Sequence, residues 1–212
     1  MSTENLPKKI AIFPLAGAIF FPKTTLPLNI FEKKYIQLVG DCMKEKKLFG
    51  MVQSKLNLTL KSDIYKIGCL GKIISFDETI DKRFVIALSG IIRFKIKEEL
   101  KTNKLYREFK VDYTDFASDL VTEKSDYDKP ENKKLIGKIK MFFNKKNYLI
   151  KFHELEKLEF DQMISTICMI SPFSAAEKQK LIEASNIKEK AKTLDEIISF
   201  SLLENFESRI IQ

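Results

Sequence analysis

A regular alternation of apolar and polar positions marks the first half of the chain. From residue 84 to residue 96 every second position is apolar or glycine, in the order Phe84, Ile86, Leu88, Gly90, Ile92, Phe94 and Ile96. The positions between them include Ser89, Arg93 and Lys95. Because successive side chains of a strand point to opposite faces, this period of two predicts one long strand.

Shorter alternating segments on both sides predict further strands. They consist of Tyr65, Ile67 and Cys69 in one case and of Phe109, Val111 and Tyr113 in the other. The first changes face near Gly71, toward Ile74 and Phe76, which indicates a bend or a bulge. The polar run 77–83 has the length of an antiparallel hairpin connection. We therefore predict a largely antiparallel sheet.

One helix is predicted among these strands. Asn29 is in the position of an N-cap, with Glu32 three residues later as in a capping box. One apolar stripe follows at helical spacing, made of Phe31, Tyr35, Leu38, Val39, Cys42 and Met43. The apolar stretches 10–21 and 25–31 precede it as a pair of strands would. Several short strands with one helix favour a small, partly open barrel over a sandwich.

The second half of the chain has the periodicity of helices. A helix start at 128–131 precedes Leu135, Ile136, Ile139 and Phe143, and a second stripe, before Pro172, contains Phe160, Ile164 and Ile167. Ser174 and Glu177 form a capping box, and the last stripe contains Leu194, Ile198, Leu202, Phe206 and Ile210. We predict an α+β protein: a β domain at 1–116, a polar linker at 117–130 and a helical bundle at 131–212.

Charge is distributed unevenly along the 212 residues. Residues 1–116 carry 21 Lys plus Arg against 13 Asp plus Glu, whereas the remainder is balanced at 16 against 16. A basic half is compatible with nucleic-acid binding. Of the 37 cations, however, 33 are lysine, whereas phosphate and base recognition favours the arginine fork. An ordinary solvated surface is the simpler interpretation.

The remaining composition indicates a cytoplasmic, soluble protein with no membrane partner. The run 10–21 follows two lysines as in a signal peptide, but Glu4 and Pro14 depart from that pattern. No segment has the roughly 20 apolar residues that a spanning helix requires. The three cysteines, at 42, 69 and 168, are odd in number and far apart, which predicts neither a disulfide framework nor a zinc site.

The groups that catalysis needs are scarce. His153 is the single histidine and is predicted at the surface, so a multi-histidine metal site is excluded. The run 68–72 differs from a phosphate-binding loop in spacing and lacks its hydroxyl residue. Paired carboxylates at 77–78 and 98–99 are expected in solvated turns. We predict no catalytic residue, no metal and no cofactor, with a hydrolase using a lone Ser, Cys69 or Cys168 as the remote alternative.

Several segments together resemble the amino-terminal, substrate-binding domain of Lon proteases. They are Ile12-Phe13-Pro14-Leu15, Phe20-Phe21-Pro22, the run 26–35 (LPLNIFEKKY), Phe49-Gly50-Met51-Val52, the run 64–73, and Leu88-Ser89-Gly90-Ile91-Ile92-Arg93-Phe94. The run 172–184 resembles the tail of short, stand-alone bacterial members. Departures include Lys33 and Leu48, where the family often has proline and arginine, and the absence of tryptophan.

The resemblance implies a PUA-like pseudo-barrel followed by helices, without the ATPase and peptidase domains of full-length Lon. It also implies a non-catalytic module that binds protein or unfolded peptide segments and engages clients for a separate protease or chaperone. The candidate peptide-binding residues are Phe20, Phe21, Phe31, Tyr35 and Phe49. RNA binding by the basic half is the alternative, since several PUA-like domains bind RNA.

Overall fold

The computed structural model describes residues 3–55, 63–121 and 129–210, with residues 204–210 given by the course of their helix alone. Six strands are present: Lys9–Leu15 (β1), Thr25–Ile30 (β2), Leu48–Ser54 (β3), Ile64–Glu78 (β4), Phe84–Leu100 (β5) and Arg107–Asp112 (β6). The helices are Lys33–Lys44 (α1), Pro130–Lys145 (α2), Phe152–Leu155 (α3), Phe160–Ile170 (α4), Ala175–Glu183 (α5) and Ile187–Ile210 (α6). Short 3-10 segments occupy Thr3–Asn5 and Thr114–Leu120. The predicted α+β class is confirmed.

The strands form one sheet in the order β2-β5-β4-β3-β1-β6, and β6 also pairs with β5. Through this last pairing the sheet closes on itself, with β2 attached to the first half of β5. All pairs are antiparallel except β1 with β3. The prediction that the first two apolar stretches pair with each other is wrong, because β1 pairs with β3 and β6 while β2 pairs with β5.

The inner face of the sheet is the face that the alternation predicted. Along β5, Ile86, Leu88, Ile92 and Phe94 are at most 2% exposed. Gly50 lies where β3 crosses this core, and a Cβ there would approach side-chain atoms of Ile10, Ile12 and Phe94 to 2.7 Å. A larger residue at this point of β3 would therefore displace the ends of three buried side chains.

The first helix begins later than the sequence predicts. Its N-cap is Glu32, which makes no side-chain capping bond, and Asn29 is a residue of β2. The predicted cap at Asn29 is wrong because pairing with β5 continues as far as Ile30. Four of the six residues of the predicted stripe are buried on the helix, namely Tyr35, Leu38, Val39 and Cys42. Met43 is half-buried, and Phe31 lies before the helix and is exposed.

The chain forms two compact units. The first comprises Met1–Thr122 with Pro172–Glu183, and the second comprises Glu123–Ser171 with Ala184–Gln212. Helix α5 therefore belongs with the sheet: Gln53 Nε2 donates to the carbonyl of Ala175 at 2.8 Å, and Arg93 Nη1 donates to that of Ile182 at 3.1 Å. The helical domain predicted at 131–212 thus contains one helix that packs on the sheet. Residues 122–128, half of the predicted linker, lie outside the described chain.

The second unit is built from α2, α3, α4 and α6. Its predicted stripes are buried as far as Ile198, and five of their residues have 0% exposure: Ile139, Phe143, Ile164, Leu194 and Ile198. Leu202, in the last predicted stripe, is half-buried. Lys138 Nζ on α2 contacts Asp195 and Ser199 on α6 at 2.8 and 3.0 Å. The side chains of Phe206 and Ile210, predicted in the last stripe, lie outside the described residues. No described helix is long and apolar enough to cross a bilayer.

Candidate functional site

An exposed apolar surface lies on the outer face of the sheet where β2, β5 and β4 run side by side. Asn29 pairs with Val85, which pairs with Asp77, and one step along Pro27 pairs with Ala87, which pairs with Ser75. On this outer face Pro27 is exposed, and the exposed fractions of Val85 and Ile74 are 41% and 58%. Phe31, at 64%, and Ile80, at 106%, lie at the end of the same strands. We name these five residues the outer patch.

A β-bulge places Ile74 on this surface. The register of β4 against β5 shifts between Ile73 and Ser75, so Ile74 and Ser75 together oppose Ala87. Ile73 is 4% exposed and faces the core, whereas Ile74 faces outward. The strand changes face, as the sequence predicts. The inward position belongs to Ile73, however, and not to Ile74 as the sequence pattern indicated.

The hairpin that joins β4 to β5 is held by local hydrogen bonds. Thr79 N donates to the carbonyl of Arg83 at 2.9 Å, and Lys82 adopts a left-handed backbone with φ of 61°. The Thr79 hydroxyl donates to Asp81, which lowers the pKa of that carboxyl. Arg83 forms an ion pair with Asp81 at 2.6 Å. Asp81 and Arg83 are therefore paired with each other, while Ile80 in the same turn is fully exposed.

Four of the five candidate residues from the sequence are core residues. Phe20, Phe21 and Phe49 are at most 1% exposed and Tyr35 is 8% exposed, so they offer no surface to a partner. Phe13 lies between two of them, with ring centroids 4.2 Å from Tyr35 and 6.2 Å from Phe49. Of the predicted set, Phe31 alone is exposed, and it belongs to the outer patch.

Pro27 and Val85 were missed because they occupy the minor face of their strands. Val85 is one of the smaller residues between the large apolar positions of β5, and Pro27 alternates with Leu26 and Leu28. Apolar residues at both alternating positions were the available sign that this part of the sheet keeps an apolar outer surface.

A polar cleft of about 510 Å³ lies elsewhere on the first unit, beside α1 and β6. Glu108 in its wall is 6% exposed and contacts Lys9 at 2.9 Å and Lys104 at 3.0 Å. Burial alone would raise the pKa of Glu108, but hydrogen bonds from the two lysines outweigh it and the pKa is lowered. Tyr106 donates to Asp41 at 2.9 Å, and burial raises the pKa of Tyr106 to about 12. The charged groups at the centre of the cleft are therefore paired with one another.

The three cysteines are buried thiols. Cys69 and Cys168 are 0% exposed and Cys42 is 8% exposed. Burial raises the pKa of Cys42 and of Cys168 to about 12 and shifts that of Cys69 in the same direction. A thiol in this state is a poor nucleophile, because the reactive species is the thiolate.

A serine and a lysine meet inside the second unit. Lys190 Nζ lies 3.0 Å from Ser165 Oγ and 3.2 Å from Asp161 Oδ1. Ser165 is 1% exposed and Lys190 4% exposed. The ammonium donates to the carboxylate, so this contact joins α6 to α4 as an ion pair between a buried lysine and a partly exposed aspartate. A general base would instead need a free lone pair and access for a substrate.

The described residues contain no group of three or more His, Cys, Asp or Glu side chains arranged to hold a metal ion. His153, the single histidine, is 68% exposed and lies 2.9 Å from Glu154. Its predicted surface position is confirmed.

Cations on the first unit alternate with carboxylates along β5 and β6. Lys110 contacts Glu98 at 2.9 Å, Arg107 contacts Glu99 at 2.7 Å and Lys97 contacts Asp112 at 3.0 Å. The hydroxyl and backbone N–H of Thr114, together with Lys97, lower the pKa of Asp112. These two strands therefore carry paired charges of both signs rather than a continuous basic stripe.

Comparison with known proteins places this fold in a family. A sequence profile of the ATP-dependent protease La (LON) substrate-binding domain matches residues 9–199. The chain belongs to this family. The LON substrate-binding match covers both compact units, and the chain is therefore a substrate-binding module of the LON type.

Curated relatives are full Lon proteases, of which the chain spans a small part. The Lon protease of Desulfosudis oleivorans is 24% identical over 215 residues, which cover 95% of this chain and 25% of the relative. That of Dictyoglomus thermophilum is 29% identical over 107 residues, which cover 50% of this chain and 14% of the relative. The chain thus spans about a quarter or less of their length.

Solved structures of Lon amino-terminal domains share the fold. The Lon N-terminal domain protein from Xanthomonas campestris superposes with a TM-score of 0.62 at 19% identity, covering 90% of this chain and 97% of that one. The N-terminal domain of the Mycobacterium avium complex Lon protease gives a TM-score of 0.64 at 12% identity, covering 91% and 98%. Both confirm the predicted resemblance at the level of the fold.

Proposed function

We propose that this LON substrate-binding module holds unfolded or extended polypeptide segments on its outer patch, as clients for a protease or chaperone. It does so without breaking bonds. The bound segment supplies apolar side chains that cover Pro27, Ile74, Val85, Phe31 and Ile80.

One observation carries the proposal: Pro27, Val85 and Ile74 lie on the outer face of three paired strands and remain exposed there. Phe31 and Ile80 are exposed at one end of the same strands. The strands are fixed by continuous pairing from Thr25 with Ser89 to Ile30 with Phe84. Their inner face is held by the core, including the rings of Phe76 and Phe84 at 4.9 Å. Exposed apolar side chains grouped on a sheet face, with polar residues such as Asn29 and Asp77 among them, are typical of a binding site.

The test is the affinity for a fluorescent, permanently unfolded polypeptide, measured by anisotropy. The substitution Val85→Lys puts a charge at the centre of the patch and should weaken binding roughly tenfold or more, because one buried aliphatic contact contributes about 1.5 to 3 kcal/mol. Phe31→Ser should weaken it by a similar factor. Both residues are exposed, so the far-ultraviolet spectrum and melting temperature should change little.

The matched control is Leu105→Lys. Leu105 is 63% exposed on the connection between β5 and β6 and belongs to none of the three strands of the patch. The Leu105→Lys variant should bind the polypeptide with the same affinity as the parent protein. If Val85→Lys, Phe31→Ser and Leu105→Lys lose the same affinity, or if Val85→Lys loses none, the outer patch is not the binding surface.

RNA binding is the second function considered from the sequence, and the paired charges along β5 and β6 give it less support. Phosphate contacts would have to compete with the carboxylates of Glu98, Glu99 and Asp112. Filter binding of mixed RNA across a salt series tests it directly, since affinity from phosphate contacts falls steeply with salt. Micromolar retention near physiological salt would favour RNA.

A further inference from the structure

The free edge of β2 has a defined hydrogen-bonding direction. Gly90 N donates to the Thr24 carbonyl at 2.9 Å, and Thr25 pairs with Ser89. In an antiparallel ladder hydrogen-bonded and non-hydrogen-bonded pairs alternate. The backbone groups of residues 26, 28 and 30 therefore point toward β5, and those of Thr25, Pro27 and Asn29 point outward. Among the described strands β5 is the neighbour of β2, so these outward groups form a sheet edge.

Proline occupies the middle of that edge. Pro27 has no N–H, so an added strand would find donors at Thr25 and Asn29 but none between them. The pyrrolidine ring also occupies the space where the added backbone would approach. Proline and short length are the ordinary means by which an edge strand is kept from pairing, and β2 has six residues.

The outer patch lies immediately beside this blocked edge. Pro27 therefore has two roles, since its ring contributes apolar surface to the patch while its missing donor interrupts the edge. Beside it the patch presents side chains, Val85 and Ile74, and the backbone groups of β5 and β4 are already used in pairing with each other. A bound segment meets apolar groups on the face and an incomplete ladder on the edge.

We infer that the module recognises client segments through their apolar side chains laid across the outer patch, and that Pro27 prevents recognition by strand addition to β2. The inference rests on the proposed function and narrows it. The substrate class is an extended segment with apolar residues, whatever the hydrogen-bonding capacity of its backbone. Segments whose main feature is a tendency to form strands, with polar side chains, are not clients.

Backbone substitution in the peptide tests the inference on the unaltered protein. Two versions of one apolar peptide are made in which alternate amides are replaced by esters, one version for each alternation, so that donors are lost while side chains remain. Side-chain recognition predicts that both bind within about twofold of the all-amide peptide. A tenfold or larger loss in either version would show that backbone donors of the client form a ladder, and would overturn the inference.

A variant of the edge provides the second measurement. Pro27→Thr restores the missing donor with a residue that favours strands, whereas Thr25→Val changes the same edge without altering the number of donors. Pro27→Thr should make peptide affinity sensitive to ester replacement or increase self-association in sedimentation, and Thr25→Val should do neither. If Pro27→Thr folds and does neither, Pro27 is not the element that blocks strand addition.

The outcomes separate this inference from the function on which it rests. If the all-amide peptide does not bind, or binds equally well to Val85→Lys, the proposed function fails and the inference fails with it. If binding depends on Val85 but is lost on ester replacement, the proposed function stands and the side-chain mode alone is wrong.

Discussion

Arg93 and Asp119 form a bidentate ion pair in the first unit. Arg93 Nε lies 2.9 Å from Asp119 Oδ2 and Nη2 lies 2.7 Å from Oδ1, while Arg93 N donates to Oδ2 at 3.0 Å. The guanidinium also lies 4.4 Å from the ring of Phe116. With its further bond to the Ile182 carbonyl, Arg93 ties β5 to the 3-10 segment after β6 and to α5.

Removing one partner of this pair should strongly destabilise the first unit. The side chain of Arg93 is 2% exposed and that of Asp119 is 11% exposed, so Asp119→Ala leaves a buried cation without its carboxylate. We expect a loss of about 3 to 5 kcal/mol in the free energy of unfolding, measured by urea denaturation. Arg83→Ala breaks an exposed pair with Asp81 and should cost at most about 1 kcal/mol. Similar costs for the two variants would contradict the structural role given to Arg93.

Mutation of core and surface phenylalanines in the first unit should have different effects on the free energy of unfolding. Phe21 is 0% exposed and Phe31 is 64% exposed. Phe21→Ala should lower the free energy of unfolding by about 3 to 5 kcal/mol through lost burial and a cavity. Phe31→Ala should change it by less than about 0.5 kcal/mol while weakening peptide binding. Thermal and urea unfolding of both variants check the first half, and anisotropy checks the second.

This division could not be drawn from the sequence. Phe20, Phe21 and Phe31 stand in similar apolar runs, and local pattern does not say which run turns inward. In the structure Gly90 determines which run is buried, because a Cβ at this position would lie 2.0 Å from the Phe21 carbonyl oxygen. The segment carrying Phe20 and Phe21 packs directly on β5 because glycine leaves room for it. That contact spans about seventy residues, beyond the reach of any periodicity.

The elements themselves were largely predictable because their periodicity is local. The alternation along β5, the hairpin at 77–83 and the capping box of Ser174 and Glu177 all appear as predicted, the last with Ser174 N donating to Glu177 at 2.7 Å. Pairing between distant segments was not predictable. The parallel contact of β1 with β3 and the packing of α5 on the sheet depend on tertiary fit.

The cysteines should resist thiol reagents in the native protein. Their burial and raised pKa leave almost no accessible thiolate near pH 8. Cys69 and Cys168 should react with iodoacetamide only on unfolding, and Cys42, at 8% exposure, should react first. Mass spectrometry of the labelled chain at rising urea concentration measures the order. Rapid native labelling at Cys69 or Cys168 would instead favour a thiol-dependent activity.

Glu108 should make the stability of the first unit depend on acid pH. Its folded pKa lies below the ordinary value of 4.5, so the carboxylate stabilises the fold fully above that pH. As pH falls below about 4.5 the unfolded chain binds the proton first and this stabilisation is lost. Glu108→Gln should therefore cost about 2 kcal/mol at pH 7, where hydrogen bonds to a charged group are intact, and progressively less below pH 4.5. Urea unfolding of parent and variant at several pH values measures the difference in their free energies of unfolding. If Glu108 were not the titrating group, this difference would stay constant with pH.

The most direct test of the binding site is a methyl chemical-shift titration of the isotope-labelled protein with an apolar, unfolded peptide. Ile74, Ile80 and Val85 supply methyl groups on the outer patch, and Leu105 and Val121, at 63% and 58% exposure, supply exposed methyl groups elsewhere. The outer patch predicts saturable shifts at Ile74, Ile80 and Val85 while Leu105 and Val121 stay fixed. Shifts confined to Leu105, Val121 or the second unit, with Ile74 and Val85 unmoved, would contradict it.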